Sequence, residues 1–267
     1  MTARRSKPAD IVLDMLSSSG KRQRTVRSLI SAGDLFGHSA NTMRVTLSRL
    51  VAKGLIESPQ RGLYRLTDKT DAMQQFVEGW RAGEARVRPW QPGDWLFAHT
   101  GSTLPCWALD ALGFREVRTG LLARPDNLAL PLDETRALAL GIGMDAGTLL
   151  FQGRHDEAAA WRAAWNIDHL QTTYRKGAQR LRESAARLDQ MEMDEARLEC
   201  FALGGEMIHH LAKDPLLPEQ WLDITARREL WQETLTYDAI GKDIWAAGKQ
   251  DALRHMPHPQ LTQELAS

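Results

Sequence analysis

The residues best suited to specific chemistry lie together in SANTMRVTLSRLVAKGLIE, residues 39–57. Asn41 carries an amide and Arg44 a guanidinium, forked groups whose hydrogen-bonding edges match adenine and guanine. Thr42 and Ser48 add short hydroxyls. Arg49, and Arg61 further on, offer cations for phosphate oxygens or the minor groove. On a helix, Met43, Leu47, Leu50 and Val51 fall on one side. Asn41, Val45, Ser48 and Ala52 fall on the other, with Arg44 and Arg49 at the flanks. The chemistry this suits is the reading of base edges by a helix seated in the major groove, with no bond made or broken.

Other constellations are weaker. GIGMDAG (141–147) holds glycines but follows a helix-like run, so it is a poor phosphate cradle. His209 and His210 are adjacent and diverge by about 100° on a helix, a poor metal pair. His255 and His258 lie in a tail expected to be loose, and Glu192, Asp194 and Glu195 read as a solvated face. Cys106 and Cys200 are far apart and suggest neither a disulfide framework nor a metal cage. No catalytic residue, metal site or cofactor is expected. Trp161 and Trp165 stand one helical turn apart. They read as core, or alternatively as the lining of an aromatic or acyl pocket, with Arg154 and Arg175 among the cations nearest in sequence for such a ligand's phosphates.

The elements that position the first group are legible. Ile11, Val12, Met15 and Leu16 predict a first helix ended by SSSG. A second spans about 25–36, capped by Thr25, with Val26, Leu29, Ile30 and Phe36 on its inner face. Gly37 and His38 break it. Ser39 caps the third helix, and Gly54 stands where a left-handed C-terminal cap belongs. LIES and LYRLT, joined by PQRG, predict a hairpin with Arg61 at its tip. Three short helices and a basic-tipped hairpin make a winged helix-turn-helix.

Composition changes after this point. All nine tryptophans lie at residue 80 or later. Residues 71–92 read as a helix and linker. Residues 93–155 alternate as βαββαβ: WLFAH, a helix near 103–112, two strands in REVRTGLLAR, a helix near 132–140, and GTLLFQG. That order predicts a ferredoxin-like domain. Residues 156–267 read as helices with a loose tail; the helix at 193–214 is either continuous or broken at Gly204–Gly205. The fold class is thus α+β: a winged helix-turn-helix over 1–70, a ferredoxin-like domain and a helical C-terminal domain.

Charge divides the same way. Residues 1–70 hold thirteen Lys and Arg against five Asp and Glu, whereas the remainder holds twenty-one against twenty-nine. A basic first quarter on an acidic body fits a polyanion partner, and the alternative is a solvated basic surface. The start, MTARRSKPAD, lacks the apolar run of a secretory signal, and no window reaches a membrane span. A soluble, cytoplasmic protein is expected.

Three separated stretches carry a resemblance. FGHSANTMRVTLSRLVAKGLI with LYRLT, LGFREVRTGLLARPDNL, and AKDPLLPEQW, in that order and spacing, resemble the PaaX-like family of bacterial regulators, of which the phenylacetate-catabolism repressor is the type. The resemblance covers roughly residues 20–250. It implies a transcription factor, usually a repressor, that acts as a homodimer on a double-stranded, partly palindromic operator. It also implies release by an aromatic acyl-CoA effector. Arg44 and Arg49 match the two arginines of the family's recognition helix, and no effector-binding residue can be matched. The first strand of the middle domain ends at His99, where cleaving domains of this shape place an Asp, so a structural or dimerisation role is expected for that domain and not an enzyme. Two other readings remain open from the sequence: an acyl-thioester-handling enzyme, and an interaction module whose winged helix binds no DNA.

Overall fold

The computed structural model describes residues 7–17, 22–101, 106–156 and 161–254. Within them the chain is an α+β protein, largely helical, with two small antiparallel sheets. Most of the SSSG stop, the start of the helix expected near 103–112, the first residues of the Ala158–Trp165 segment, and the tail with His255 and His258 lie outside the described residues.

The N-terminal part is built from helices α1 (Pro8–Ser17), α2 (Val26–Leu35) and α3 (Ala40–Ala52) and strands β1 (Gln23–Thr25), β2 (Ile56–Gln60) and β3 (Leu63–Leu66). α1 buries Ile11, Val12, Met15 and Leu16 and α3 buries Met43, Leu47 and Leu50, as their sequences predict; on α2 only Leu29 of the expected inner face is buried, and Val26, Ile30 and Phe36 are half-buried at the margin of the same core. Val51 departs from expectation and is 40% exposed, because Leu47 and Leu50 centre the stripe and Val51 falls past its edge. Thr25 and Ser39 cap α2 and α3, accepting from the backbone N–H groups of Ser28 and Thr42. Gly54, at φ +67°, closes α3: its N–H donates to the Val51 carbonyl while Leu55 N–H donates to that of Leu50. β3 is central in the order β1-β3-β2. Ile56 and Leu66 complete a small core.

After α4 (Asp71–Glu78) and a 3-10 segment at Gly79–Arg86, a second sheet forms from β4 (Asp94–His99), β5 (Arg115–Arg118), β6 (Leu121–Pro125) and β7 (Leu149–Arg154). Helix α5 (Trp107–Ala111) joins β4 to β5, and α6 (Leu132–Gly141) joins β6 to β7. The strand order is β5-β6-β4-β7, and every neighbouring pair is antiparallel. Helices α7 (Ile167–Ala185), α8 (Met193–Ala212) and α9 (Thr225–Arg254) follow, and α8 runs unbroken through Gly204 and Gly205. The sheet and these helices share one core, in which Trp95 and Phe97 belong with Leu181, Met207 and Leu230. The N-terminal core is separate from it.

Head and body meet at two places in particular. Phe36, at the C-terminal end of α2, packs edge-on against Phe201 of α8 with ring centroids 4.8 Å apart, and Trp245 of α9 lies 6.4 Å from Phe201. Arg22 pairs with Asp71 and donates to Gln74, tying the approach to β1 to α4.

Candidate nucleic-acid interface

Helix α3 lies on α1, α2 and β2 by its apolar stripe and leaves the opposite face open. Asn41, Thr42, Arg44, Val45, Ser48, Arg49 and Ala52 are all exposed. Two of the hydroxyls are already engaged. Thr42 Oγ1 shares a hydrogen bond of 2.9 Å with Ser39 Oγ, and Ser48 Oγ donates to the Arg44 carbonyl at 3.1 Å. The Asn41 amide and the Arg44 and Arg49 guanidinium groups make no such bond among the described residues. Burial costs them nothing here, and their donors remain available.

The hairpin adds a further cation. Gly62 forms its turn at φ +78°, and its carbonyl accepts the Val26 N–H at 2.8 Å, which holds the tip against the start of α2. Arg61 at the tip is exposed, as is Arg27 in the first turn of α2. Neither forms an ion pair among the described residues. Other head cations are spent on structure. Arg65 pairs with Glu57, and Arg24, whose pKa burial lowers, donates to the Met15 carbonyl at 2.9 Å. Arg27 carries no motif in the sequence, and its place next to the hairpin follows from the bond between Val26 and Gly62.

The residues considered for an acyl ligand separate into two groups. Trp161 and Trp165 are buried among rings: Trp161 lies 5.1 Å from Trp95, and Trp165 lies 5.4 Å from Trp221. Trp165 Nε1 also donates to the Gly113 carbonyl at 2.8 Å. Arg154 and Arg175 are exposed, and Arg154 lies 3.5 Å from the Asp94 carboxylate. An open depression of about 380 Å³ beside this region is lined by Arg162, Ala163, Asn166, Ile167 and Asp168. No group of three or more His, Cys, Asp or Glu among the described residues is placed to hold a metal ion.

Two stretches quoted from the sequence, RPDN at 124–127 and DPLLP at 214–218, meet in the body. Arg124 is 1% exposed and donates to the carbonyls of Leu112, Pro125 and Pro215 and to Asn127 Oδ1 at 3.0 Å. Asn127 Nδ2 in turn donates to the Leu216 carbonyl at 2.7 Å. Burial pushes the Arg124 pKa down to about 9, with Asp126 opposing the shift, so the guanidinium remains charged at neutral pH. This buried network fastens the sheet to the segment between α8 and α9.

The arrangement defines a class: an α+β protein whose basic three-helix head displays a small polar helix face bordered by arginines. The family model for the PaaX-like protein matches residues 11–70, and that for the PaaX-like protein C-terminal domain matches residues 165–246. Together they span more than half of the chain, which therefore belongs to the PaaX-like family, whose members are usually transcriptional regulators. Among solved structures, the uncharacterized protein Rv0674 from Mycobacterium tuberculosis is similar, with a TM-score of 0.53 and 24% identity over 90% of this chain and 99% of that one. That identity speaks for the fold alone. No curated protein matches the chain. No helix among the described residues is long and apolar enough to cross a membrane.

Proposed function

We propose that this protein is a DNA-binding transcriptional regulator, a repressor that holds double-stranded operator DNA as a homodimer. The head acts as a winged helix-turn-helix over residues 1–70, with α3 as the reading helix and the β2–β3 hairpin as the wing. The four-stranded unit over 93–155 is read as ferredoxin-like, in keeping with its strand order and its helices after the first and third strands. Residues 71–92 link the two, and 156–267 form the helical domain.

The observation that carries this reading is the outward face of α3. Its exposed small residues lie opposite the buried stripe, and Arg44 and Arg49 border them with no counter-ion among the described residues. A structural surface has no need of that pattern, whereas a groove lined by base edges and phosphates does. Arg44 and Asn41 are assigned to base edges, with Thr42 and Ser48 beside them. Arg49 and Arg61 are assigned to phosphate or the minor groove. Two heads on successive major grooves call for half-sites about 10 bp apart, or a multiple.

An aromatic or other acyl-CoA thioester releases the operator in this proposal by favouring a head spacing that no longer fits, and only to the extent that its affinity differs between the two states. Trp161, Trp165, Arg154 and Arg175 remain its candidate contacts, the two tryptophans only if their packed cluster opens. Selection of duplexes from a random pool at stated salt tests the DNA reading. One half-site motif should be enriched. Arg44→Ala should relax it at one position and lose about 1–3 kcal/mol. Arg61→Ala should weaken all duplexes alike and flatten the salt dependence. Recovery of no motif, or an unchanged affinity in Arg44→Ala, overturns the reading. Addition of aromatic acyl-CoA thioesters to the bound complex tests the effector, and its failure leaves the DNA reading intact.

A further inference from the structure

Val45 is 41% exposed in the middle of α3. It belongs to neither hydrophobic core and to neither core's partly buried margin. A β-branched residue is a poor choice for an exposed helix interior, where straight-chain residues or alanine hold the helix better. Its presence there is unexplained by folding. Its position, however, is well defined. At about 100° per residue, Asn41, Val45, Ser48 and Ala52 fall within an arc of roughly 60°, and Arg44 and Arg49 border that arc on either side. Val45 is therefore the apolar centre of the face assigned to the major groove.

We propose that Val45 packs against the 5-methyl group of a thymine and so fixes one T·A pair in each half-site. This inference rests on the DNA-binding reading and adds a base identity to it. The 5-methyl group is the only apolar feature a base pair presents in the major groove, and apolar side chains read it. Asn41 lies one turn before Val45, so their Cβ atoms are about 5–6 Å apart. Stacked bases rise by about 3.4 Å. An adenine read by the Asn41 amide and the thymine read by Val45 are then one or two steps apart.

A methylated cytosine carries the same 5-methyl group, and the test separates the two. Starting from the selected duplex, each thymine of the half-site is replaced in turn by deoxyuridine, which removes the methyl and leaves every hydrogen-bonding edge intact. One replacement should weaken binding about four-fold, the worth of one buried methyl. Val45→Ala should bind the thymine and uracil duplexes equally, while Val45→Ile should keep the discrimination. Both variants lie on an exposed face, and helix content by circular dichroism verifies their folding. Cytosine at the same position should bind worse than 5-methylcytosine, because it lacks the methyl that Val45 reads, and 5-methylcytosine should bind no better than thymine. Equal response of wild type and Val45→Ala to uracil overturns the inference while leaving DNA binding standing, as does 5-methylcytosine binding better than thymine. Failure to select any duplex overturns both.

Discussion

Gly33 in α2 allows α3 to approach closely, and replacing it by alanine is the sharpest test of how α3 is held. A Cβ at this position would lie 2.4 Å from both Cγ and Sδ of Met43 and 2.8 Å from its Cε. Comfortable contacts between carbon atoms are about 3.5–4.0 Å, so the shortfall exceeds 1 Å. Met43 is fully buried, and the clash reaches its Cγ, near the root of the side chain, so a swing of the terminal methyl does not relieve it. Either Met43 leaves its rotamer or α3 moves off α2. Overpacking of this kind costs about 1–3 kcal/mol. The change from glycine to alanine in a helix returns about 1 kcal/mol. The net expectation for Gly33→Ala is a loss of up to about 2 kcal/mol in denaturant unfolding, together with weakened duplex binding at temperatures where the head remains folded. Gly33→Ala combined with Met43→Ala should be less destabilised than the sum of the two single changes by about 1 kcal/mol or more, since the added methyl then fills the space that Met43 gives up. A stabilised Gly33→Ala, or strict additivity in the double variant, would refute the contact.

Arg124→Met should cost about 3–5 kcal/mol, because the carbonyls of Leu112 and Pro215 lose their donor, and Arg124→Lys should not rescue it for want of a fork; thermal or denaturant unfolding reads both. Phe201→Ala removes the half-buried ring against Phe36 and should cost about 1–2 kcal/mol, less than a fully buried phenylalanine; it should also alter duplex affinity without touching a DNA-facing residue, as a binding titration will report. Glu206 is bonded by both guanidinium nitrogens of Arg180, which lowers its pKa from the ordinary 4.5. The folded state therefore holds fewer protons than the unfolded state just below pH 4.5. The pair's contribution, under about 1 kcal/mol for so exposed a pair, is present above that pH and lost as pH falls through the folded value. The stability difference between wild type and Arg180→Ala should fade over that range.

Local signals carried much of the head. Ser39 as a cap and Gly54 as a helix stop act within a few residues and stand where the sequence put them, whereas the turn expected over PQRG narrows to Arg61 and Gly62, because β2 runs on through Pro59 and Gln60. β1 did not announce itself. Three residues, QRT, hold no alternation, and they become a strand only because β3 offers a free edge. The body was legible as elements and not as contacts. RPDN and DPLLP stood out as motifs, yet their union depends on hydrogen bonds between residues 89 and 91 positions apart. The aromatic packing of Trp161 and Trp165 likewise depends on Trp95 and Trp221, which no helical spacing connects to them. For the interface, the exposed face of α3 followed from periodicity alone. The place of Arg27 next to the hairpin did not, since it depends on the Gly62 carbonyl accepting the Val26 N–H.

The separation of the two cores bears on how binding could be controlled. The buried residues of the N-terminal core all come from the head, while Phe201 and Trp245 of the body pack against its margin, so movement of the body reaches the head through those two rings. The Phe36–Phe201–Trp245 contact lies at the end of α2, immediately before the turn into α3. α3 has 13 residues and is thus about 20 Å long at about 1.5 Å per residue. A tilt of roughly 5° about its start moves its far end by about 2 Å, enough to take a base-edge hydrogen bond out of range. Movement of α8 or α9 on that small scale, passed through one aromatic contact, would change the fit to a duplex with no unfolding of the head. It follows that substitutions at Phe36, Phe201 and Trp245 should alter duplex binding together, and that those in the Arg124 network, which lies within the body, should act on stability first.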